Sequence, residues 1–187
     1  MRVIAGTRRS LPLKSIEGME TRPTADRYKE TVFNCLQNDV PGSRFLDLFA
    51  GSGGIGIEAL SRGAKHATFV ENGREALQCI KENIHFTKFE NESDILRYDA
   101  VSFVRGLKKI DYDVIFIDPP YSKGLEKEVL LALDTKEFKS VDTIIVVEAI
   151  LDEDFEYLED TKFYMYKEKR YKTNKHIFLK LKESLED

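Results

Sequence analysis

The sequence predicts an α/β fold: a doubly wound, mostly parallel seven-stranded sheet with a C-terminal antiparallel hairpin and a small N-terminal extension. Three observations predict it. Short apolar runs rich in Val, Ile and Phe alternate with segments of helical period through the middle of the chain, a glycine-rich turn joins the first run to the first helix of that series, and the last two strand-like segments follow each other with no helix between them. Strand, helix, strand at these spacings requires right-handed parallel crossovers with helices on both faces. Two strands joined by a polar turn pair antiparallel.

Each element can be justified in order. Arg2 to Leu13 reads as a short extended segment, and Thr24 as the N-cap of a helix from Ala25 to about Leu36, with Tyr28, Val32, Phe33 and Leu36 at helical spacing. Arg44 to Leu48 is the first buried strand and Ile55 to Leu60 the helix after it; Ala67 to Glu71 is the second strand. Arg74 to Phe86 follows with Ala76, Leu77, Ile80 and Ile84 on one helical face. The rhythm continues through Asp94 to Tyr98, Val101 to Leu107, the β-branched Val114 to Ile117, Leu125 to Leu133, and Thr143 to Val147. Lys162 to Glu168 and His176 to Leu181 then form the hairpin around Lys169 to Lys175. Residues 1–40 are expected to form a basic hairpin and helix packed on a main domain of residues 41–187.

Composition narrows the function classes. With 187 residues, 42% hydrophobic and 33% charged, the chain can bury one sizeable core and is too apolar for a disordered one. No apolar run approaches the roughly 18 residues a membrane span needs, and no signal-peptide core follows Met1 to Gly6. Cys35 and Cys79 are too few for a disulfide framework and lack zinc-binding spacing, so a cytoplasmic protein is expected. His66, His85 and His176 are isolated, and no metal is expected. The net charge of −4 hides a polarised distribution: residues 1–29 carry an excess of four positive charges, residues 162–182 an excess of seven, and Val147 to Asp160 has seven acids and no base. Such runs are commonly solvated faces, but two basic segments that converge would make an electrostatic footprint for RNA or DNA.

The first strand leads into Asp47-Leu-Phe-Ala-Gly51-Ser-Gly53-Gly-Ile-Gly56. A bare G-x-G-x-x-G is a weak signal, strengthened here because it follows a buried strand and opens a helix. Gly51 and Gly53 let the backbone approach a ligand, and Gly56 lets helix and strand pack closely. Asp47 stands where a pyrophosphate-binding turn carries an apolar residue. A carboxylate there repels phosphate and suits a cation such as S-adenosylmethionine, with its sulfonium and ammonium groups. Glu71, 20 residues after Gly51 at the end of the second strand, is placed to accept ribose hydroxyls, and Asp99 to accept the adenine amino group. The plainer alternative is that these acids cap turns.

The fourth strand of the series ends in Asp118-Pro119-Pro120-Tyr121. Two prolines fix φ twice and remove two N–H donors, leaving a stiff turn with outward carbonyls. If the Asp118 carboxylate and the Pro119 carbonyl each accept one N–H of a nucleobase amine, the nitrogen is drawn towards tetrahedral geometry with its lone pair aimed at a methyl group. Tyr121 would stack on the flipped base. Neither cysteine lies in a strand-end turn, so a thiol nucleophile is not expected.

These residues resemble the RsmD type of class I, Rossmann-like S-adenosylmethionine-dependent methyltransferases. The likeness runs through Arg2-Val-Ile-Ala-Gly6, Arg22-Pro-Thr-Ala-Asp-Arg27, Glu30-Thr-Val-Phe-Asn34, Asp47 to Gly53, Glu58 to Ala64, Val70-Glu71, Asp99-Ala100 and Asp118 to Tyr121. The Arg-Pro-Thr-x-x-Arg segment is its most specific part. The resemblance implies methyl transfer from S-adenosylmethionine to the N2 amine of a guanine in bacterial small-subunit (16S) ribosomal RNA, within an assembling or assembled subunit, by a monomer with no membrane partner. It implies that Asp47, Gly51 and Gly53 line the methionine side, with Phe49 and Ser52 of the same turn among the cofactor contacts, Glu71 at the ribose and Asp99 at the adenine. Asp118, Pro119, Pro120 and Tyr121 would hold the guanine. Arg22 and Thr24 would contact the cofactor beside the active site, and Arg8, Arg9 and Arg27 the RNA. One departure is visible: where the family often has a glycine-containing basic loop near Arg8, this chain has Ser10-Leu-Pro12.

Rival readings keep or change the fold's use. An N6-adenine methyltransferase of RNA or DNA shares the DPPY turn, but sequence-reading DNA enzymes usually add a recognition domain for which there is little room here. A protein-glutamine methyltransferase would carry Asn at Asp118, a nicotinamide oxidoreductase would not place Asp47 before its glycines, and a non-catalytic RNA-binding module would not need Asp118 at all.

Overall fold

Strand-helix alternation builds the molecule as expected. The computed structural model describes residues 1–16, 23–121 and 123–182, and of residues 23–25 only the helical backbone. Its elements are α1 (Pro23–Cys35), β1 (Arg44–Asp47), α2 (Gly54–Ser61), β2 (His66–Glu71), α3 (Arg74–Thr87), β3 (Ser93–Arg97), α4 (Ala100–Gly106), β4 (Lys109–Ile110), β5 (Val114–Ile117), α5 (Leu125–Asp134), β6 (Glu137–Phe138), β7 (Ile144–Ile150), β8 (Phe163–Arg170) and β9 (Asn174–Leu181). Seven strands form one sheet in the order β3-β2-β1-β5-β7-β9-β8, parallel except for β9, which runs antiparallel to both β7 and β8. The fold class is therefore the one the sequence predicts.

Because strands alternate sides, each central strand feeds two cores. Phe45, Phe69, Phe116, Val146 and Phe178 pack on one face against Phe33 of α1, Ile57 of α2 and Ile80 of α3. Leu46, Val70, Ile115, Val147 and Ile177 pack on the other against Val104 of α4 and Leu130 of α5. Burial on both faces is why these strands read as continuous apolar runs.

Local details differ from the expectations. Arg2 to Leu13, read as an extended segment within an N-terminal hairpin, folds back on itself, with Val3 N donating to Leu11 O (2.9 Å) and Ser10 N to Val3 O (2.8 Å). Ser10 turns the chain at φ 69°, a conformation in which glycine is cheaper. The first helix begins at Pro23, making Thr24 a first-turn residue rather than the N-cap; a ring that presets φ and lacks an N–H fits the first helical position. Strands β8 and β9 extend inward to Arg170 and Asn174, shrinking the predicted seven-residue turn, because the buried polar side chains of Asn174 and Lys175 find partners in Glu148 and the Glu153 carbonyl. The two-residue parallel pair of β4 and β6 carried no strand signal.

The hairpin is bound to the sheet domain through Glu58 of α2, which is fully buried. Its carboxylate accepts from Ile4 N (2.8 Å), Ala5 N (3.0 Å) and Arg62 Nε (2.7 Å), and Lys29 Nζ of α1 lies 3.5 Å away. Burial lowers the Lys29 pKa, opposed by Glu58 and Asp26. At Gly6 (φ 83°) any Cβ would overlap the backbone of Ser61, so the hairpin approaches α2 through a position where only glycine fits.

Candidate active site at the carboxyl ends of the strands

The chain leaves β1 towards β2 and returns on its other side at β5, opening a crevice above the carboxyl ends of these two strands. A cleft of about 950 Å³ lies there. Among the described residues it is lined by Asp47, Phe49, Gly51 and Ser52 of the glycine turn, by Glu71, by Asp99, and by Asp118, Pro119, Pro120 and Tyr121. Ten residues widely spaced in sequence thus share one cavity. Helix α1 closes one side with Tyr28, Lys29 and Val32.

The acids also hold the turn. Asp47, 1% exposed, accepts from Gly56 N (3.1 Å), while burial, reinforced by the charge of Glu71, raises its pKa from 3.8 to about 7. Glu71 accepts from Gly51 N (2.9 Å), Asn72 N (2.8 Å) and Gly73 N (2.8 Å). Asp99 caps α4 by accepting from Ser102 N (2.8 Å). The capping alternative is therefore real for all three, yet each still faces the cleft with acceptor capacity left, because an ionised carboxylate offers about four lone-pair sites. Around them Gly51 and Gly53 adopt φ 54° and 82°, Gly51 has open space where a Cβ would stand, and at Gly56 a Cβ would meet the Phe69 ring. A buried, desolvated carboxylate above a backbone cradle free of side chains fits a cationic ligand: a positive charge beside Asp47 would relieve the cost of its burial.

Beyond β5, the Asp118 carboxylate accepts no hydrogen bond from the described residues, and burial followed by the charges of Glu148 and Asp47 pushes it well above the ordinary carboxylic range. Tyr121 is 49% exposed and donates its hydroxyl to Glu148 Oε1 (2.5 Å). Glu148, on β7, also accepts from Asn174 Nδ2 (2.7 Å) and bonds His176 Nε2 (2.9 Å), and His176 Nδ1 lies 3.0 Å from the Tyr171 hydroxyl. Burial alone would raise Glu148, but the bonds and charge of His176, with Tyr121 and Asn174, bring it below its usual range.

Sequence reading missed this second cluster. Glu148 begins the acidic run read as a solvated body, and His176 is an isolated histidine in a strand; here His176 is buried, Glu148 is half-buried, and both line the cleft. The only available signal was alternation. Val114, Phe116 and Asp118, Ile144, Val146 and Glu148, and Phe178 and His176 each continue one face of a strand, so the apolar rows end in polar residues at the same level of the sheet. The pairing needed to see it is tertiary.

Other candidates lie elsewhere. Arg22 falls outside the described residues, and of Thr24 only the backbone is described. Arg27 and Arg9 are exposed and do not line the cleft. Arg8 is tied to the end of α3, donating to Thr87 O (2.7 Å) with its guanidinium 4.9 Å from the Phe89 ring centroid. Among the described residues no cluster of metal-ligating side chains occurs, and no helix is long and apolar enough to cross a membrane.

A family model described as "Conserved hypothetical protein 95" matches residues 1–180. The chain is 40% identical over 150 residues to "Putative rRNA methyltransferase YlbH" of Bacillus subtilis, covering 79% of this chain and 82% of that protein. It is 35% identical over 149 residues to "Ribosomal RNA small subunit methyltransferase D" of Escherichia coli, covering 80% and 74%. Among solved structures, "Putative methyltransferase yhhF from Escherichia coli" superposes with a TM-score of 0.83 at 29% identity, covering 97% of each chain.

Proposed function

Because the chain belongs to the RsmD-type methyltransferase family, with the class I, Rossmann-like fold of that family, we propose that it transfers the methyl group of S-adenosylmethionine to the exocyclic N2 amine of a guanine in small-subunit (16S) ribosomal RNA. The observation that carries this reading is the Asp118 carboxylate on a doubly proline-stiffened turn, opening into the same cleft as the glycine turn and Asp47.

S-adenosylmethionine supplies an electrophilic methyl group when bound. Asp47, with the backbone of Gly51 and Gly53, would hold its charged methionine end, Phe49 and Ser52 the turn's flank, Glu71 the ribose and Asp99 the adenine; Arg22 and Thr24 are proposed on the same side. The amine of guanine is a poor nucleophile because its lone pair is conjugated with the ring. Accepting its two hydrogens at Asp118 and at the Pro119 carbonyl localises the lone pair, and Pro120 keeps the acceptors from relaxing. Tyr121, half-exposed and lining the cleft, would stack on a base turned out of its helix.

Charge placement supports an RNA partner. In the C-terminal basic segment Lys162, Lys175 and Lys182 are spent on backbone carbonyls, while Lys169 and Lys172 flank Tyr171, whose ring lies 4.3 Å from that of Tyr28. That contact brings the two basic segments together beside the cleft, where Arg27 would meet phosphate, while Arg9 and the remaining donors of Arg8, at the hairpin tip against the ends of α2 and α3, would reach RNA away from the cleft. The test is transfer from labelled S-adenosylmethionine to small subunits from cells lacking this protein, followed by nucleoside analysis. Label in N2-methylguanosine, absent with Asp118→Ala, is the expected result; label in methyladenosine, or none, refutes the reading.

A further inference from the structure

We propose that Glu148 selects guanine by accepting its N1–H, beside the Asp118 turn that holds the N2 amine. The inference rests on the guanine reading and gives it a structural basis.

Strands β5 and β7 pair in register up to Ile117 and Val147, so Asp118 and Glu148 are the next opposed positions and their side chains lie on one face, about one strand spacing apart. Two carboxylates thus meet at the floor of the cleft, and both line it. Their environments divide the work. Three donors fill three of the four lone-pair sites of Glu148: the Tyr121 hydroxyl and Asn174 amide on Oε1, and His176 on Oε2. One site on Oε2 is left, on a side chain 14% exposed. The donors hold Glu148 ionised and fixed in rotamer, so the open site is an oriented anionic acceptor.

An aminated purine declares itself by what flanks the amine. On guanine the N2 amine adjoins N1–H, a donor; on adenine the N6 amine adjoins N1, a bare acceptor. A pocket floored by two carboxylates complements the donor-donor edge of guanine, and places lone pair against lone pair with adenine. A site built to accept a hydrogen bond rejects an analogue that cannot donate it, because the buried acceptor is left unpaired.

The test uses small subunits reconstituted with RNA carrying either guanine or 2-aminopurine at the methylated position. 2-Aminopurine keeps the amine but has no hydrogen on N1. The wild-type enzyme should prefer guanine by about tenfold to a hundredfold in kcat/KM, the range for a hydrogen bond to a charged group. Glu148→Gln keeps the shape and an oxygen for Tyr121, and its amide can donate to an unprotonated N1. It should lose guanine activity and shrink the preference to within about threefold, with the cofactor Kd unchanged. A preference unaltered in Glu148→Gln overturns the inference while leaving the guanine reading intact. A Glu148→Gln protein that melts well below wild type is replaced by Glu148→Asp, which keeps the charge but withdraws it; a preference that survives withdrawal overturns the inference as well. Wild-type enzyme that labels adenine, or no RNA base, overturns the guanine reading and this inference with it.

Discussion

Asp47→Asn is expected to make the protein more stable and its grip on the cofactor weaker. The carboxylate is 1% exposed with one backbone donor, Gly56 N, and its pKa rises from 3.8 to about 7. Each pKa unit corresponds to about 1.4 kcal/mol, so ionising this group in the folded state costs about 4 kcal/mol at most, and ~2–4 kcal/mol once side chains and water relax. The unfolded carboxyl ionises near 3.9 and the folded one near 7. Between those values the folded state holds the extra proton, stability falls as pH rises, and above pH 7 the penalty is constant. Asn keeps the shape and an oxygen for Gly56 but carries no charge. Urea unfolding of the two proteins should therefore show a gain for Asp47→Asn of ~2–4 kcal/mol at pH 8 and less than half of it at pH 5. Titration calorimetry should show wild-type affinity for S-adenosylmethionine weakening about tenfold from pH 8 to pH 6, as Asp47 takes up its proton, and Asp47→Asn binding more weakly with no such slope. A variant that is less stable at pH 8, or a difference independent of pH, would refute the claim that Asp47 is a strained charge awaiting a cationic partner.

Asp118→Ala should lower kcat by about a hundredfold or more while leaving the cofactor Kd within about twofold, measured by single-turnover transfer and calorimetry; in the wild type, kcat should fall on the acid side as the raised Asp118 carboxyl is protonated. Glu58→Ala strands Lys29, Arg62 and two hairpin N–H groups in the interior, and should cost about 3–5 kcal/mol in urea unfolding. Gly6→Ala must move the hairpin off the Ser61 backbone, so amide exchange should accelerate at residues 3–13 while β1 and β5 keep their protection.

How much of this was legible from the residues depends on distance along the chain. The glycine turn and the DPPY turn could be read because each is a local device: contiguous residues fix their own backbone, through positive φ at Gly51 and Gly53 or ring closure at Pro119 and Pro120. Strand-helix alternation is likewise local, and the parallel architecture follows from it by handedness. Helix α1 was misplaced by two residues because Thr24 is a good cap and Pro23 a good first residue, and local chemistry alone does not choose between them.

The sequence by itself determined the class of fold, the strand-end acids and the stiff acceptor turn, since side-chain period and turn chemistry act over a few residues. Only the tertiary structure decided that Glu148, Asn174 and His176 join that site. Their character comes from sheet register across β5, β7 and β9, which turns the first acid of a charged run into a half-buried, oriented acceptor. It also decided that Arg8 is spent on the end of α3 and that the two basic segments meet through Tyr28 and Tyr171. Burial and pairing are properties of neighbours in space, and a charge acquires its function only when the fold has chosen those neighbours.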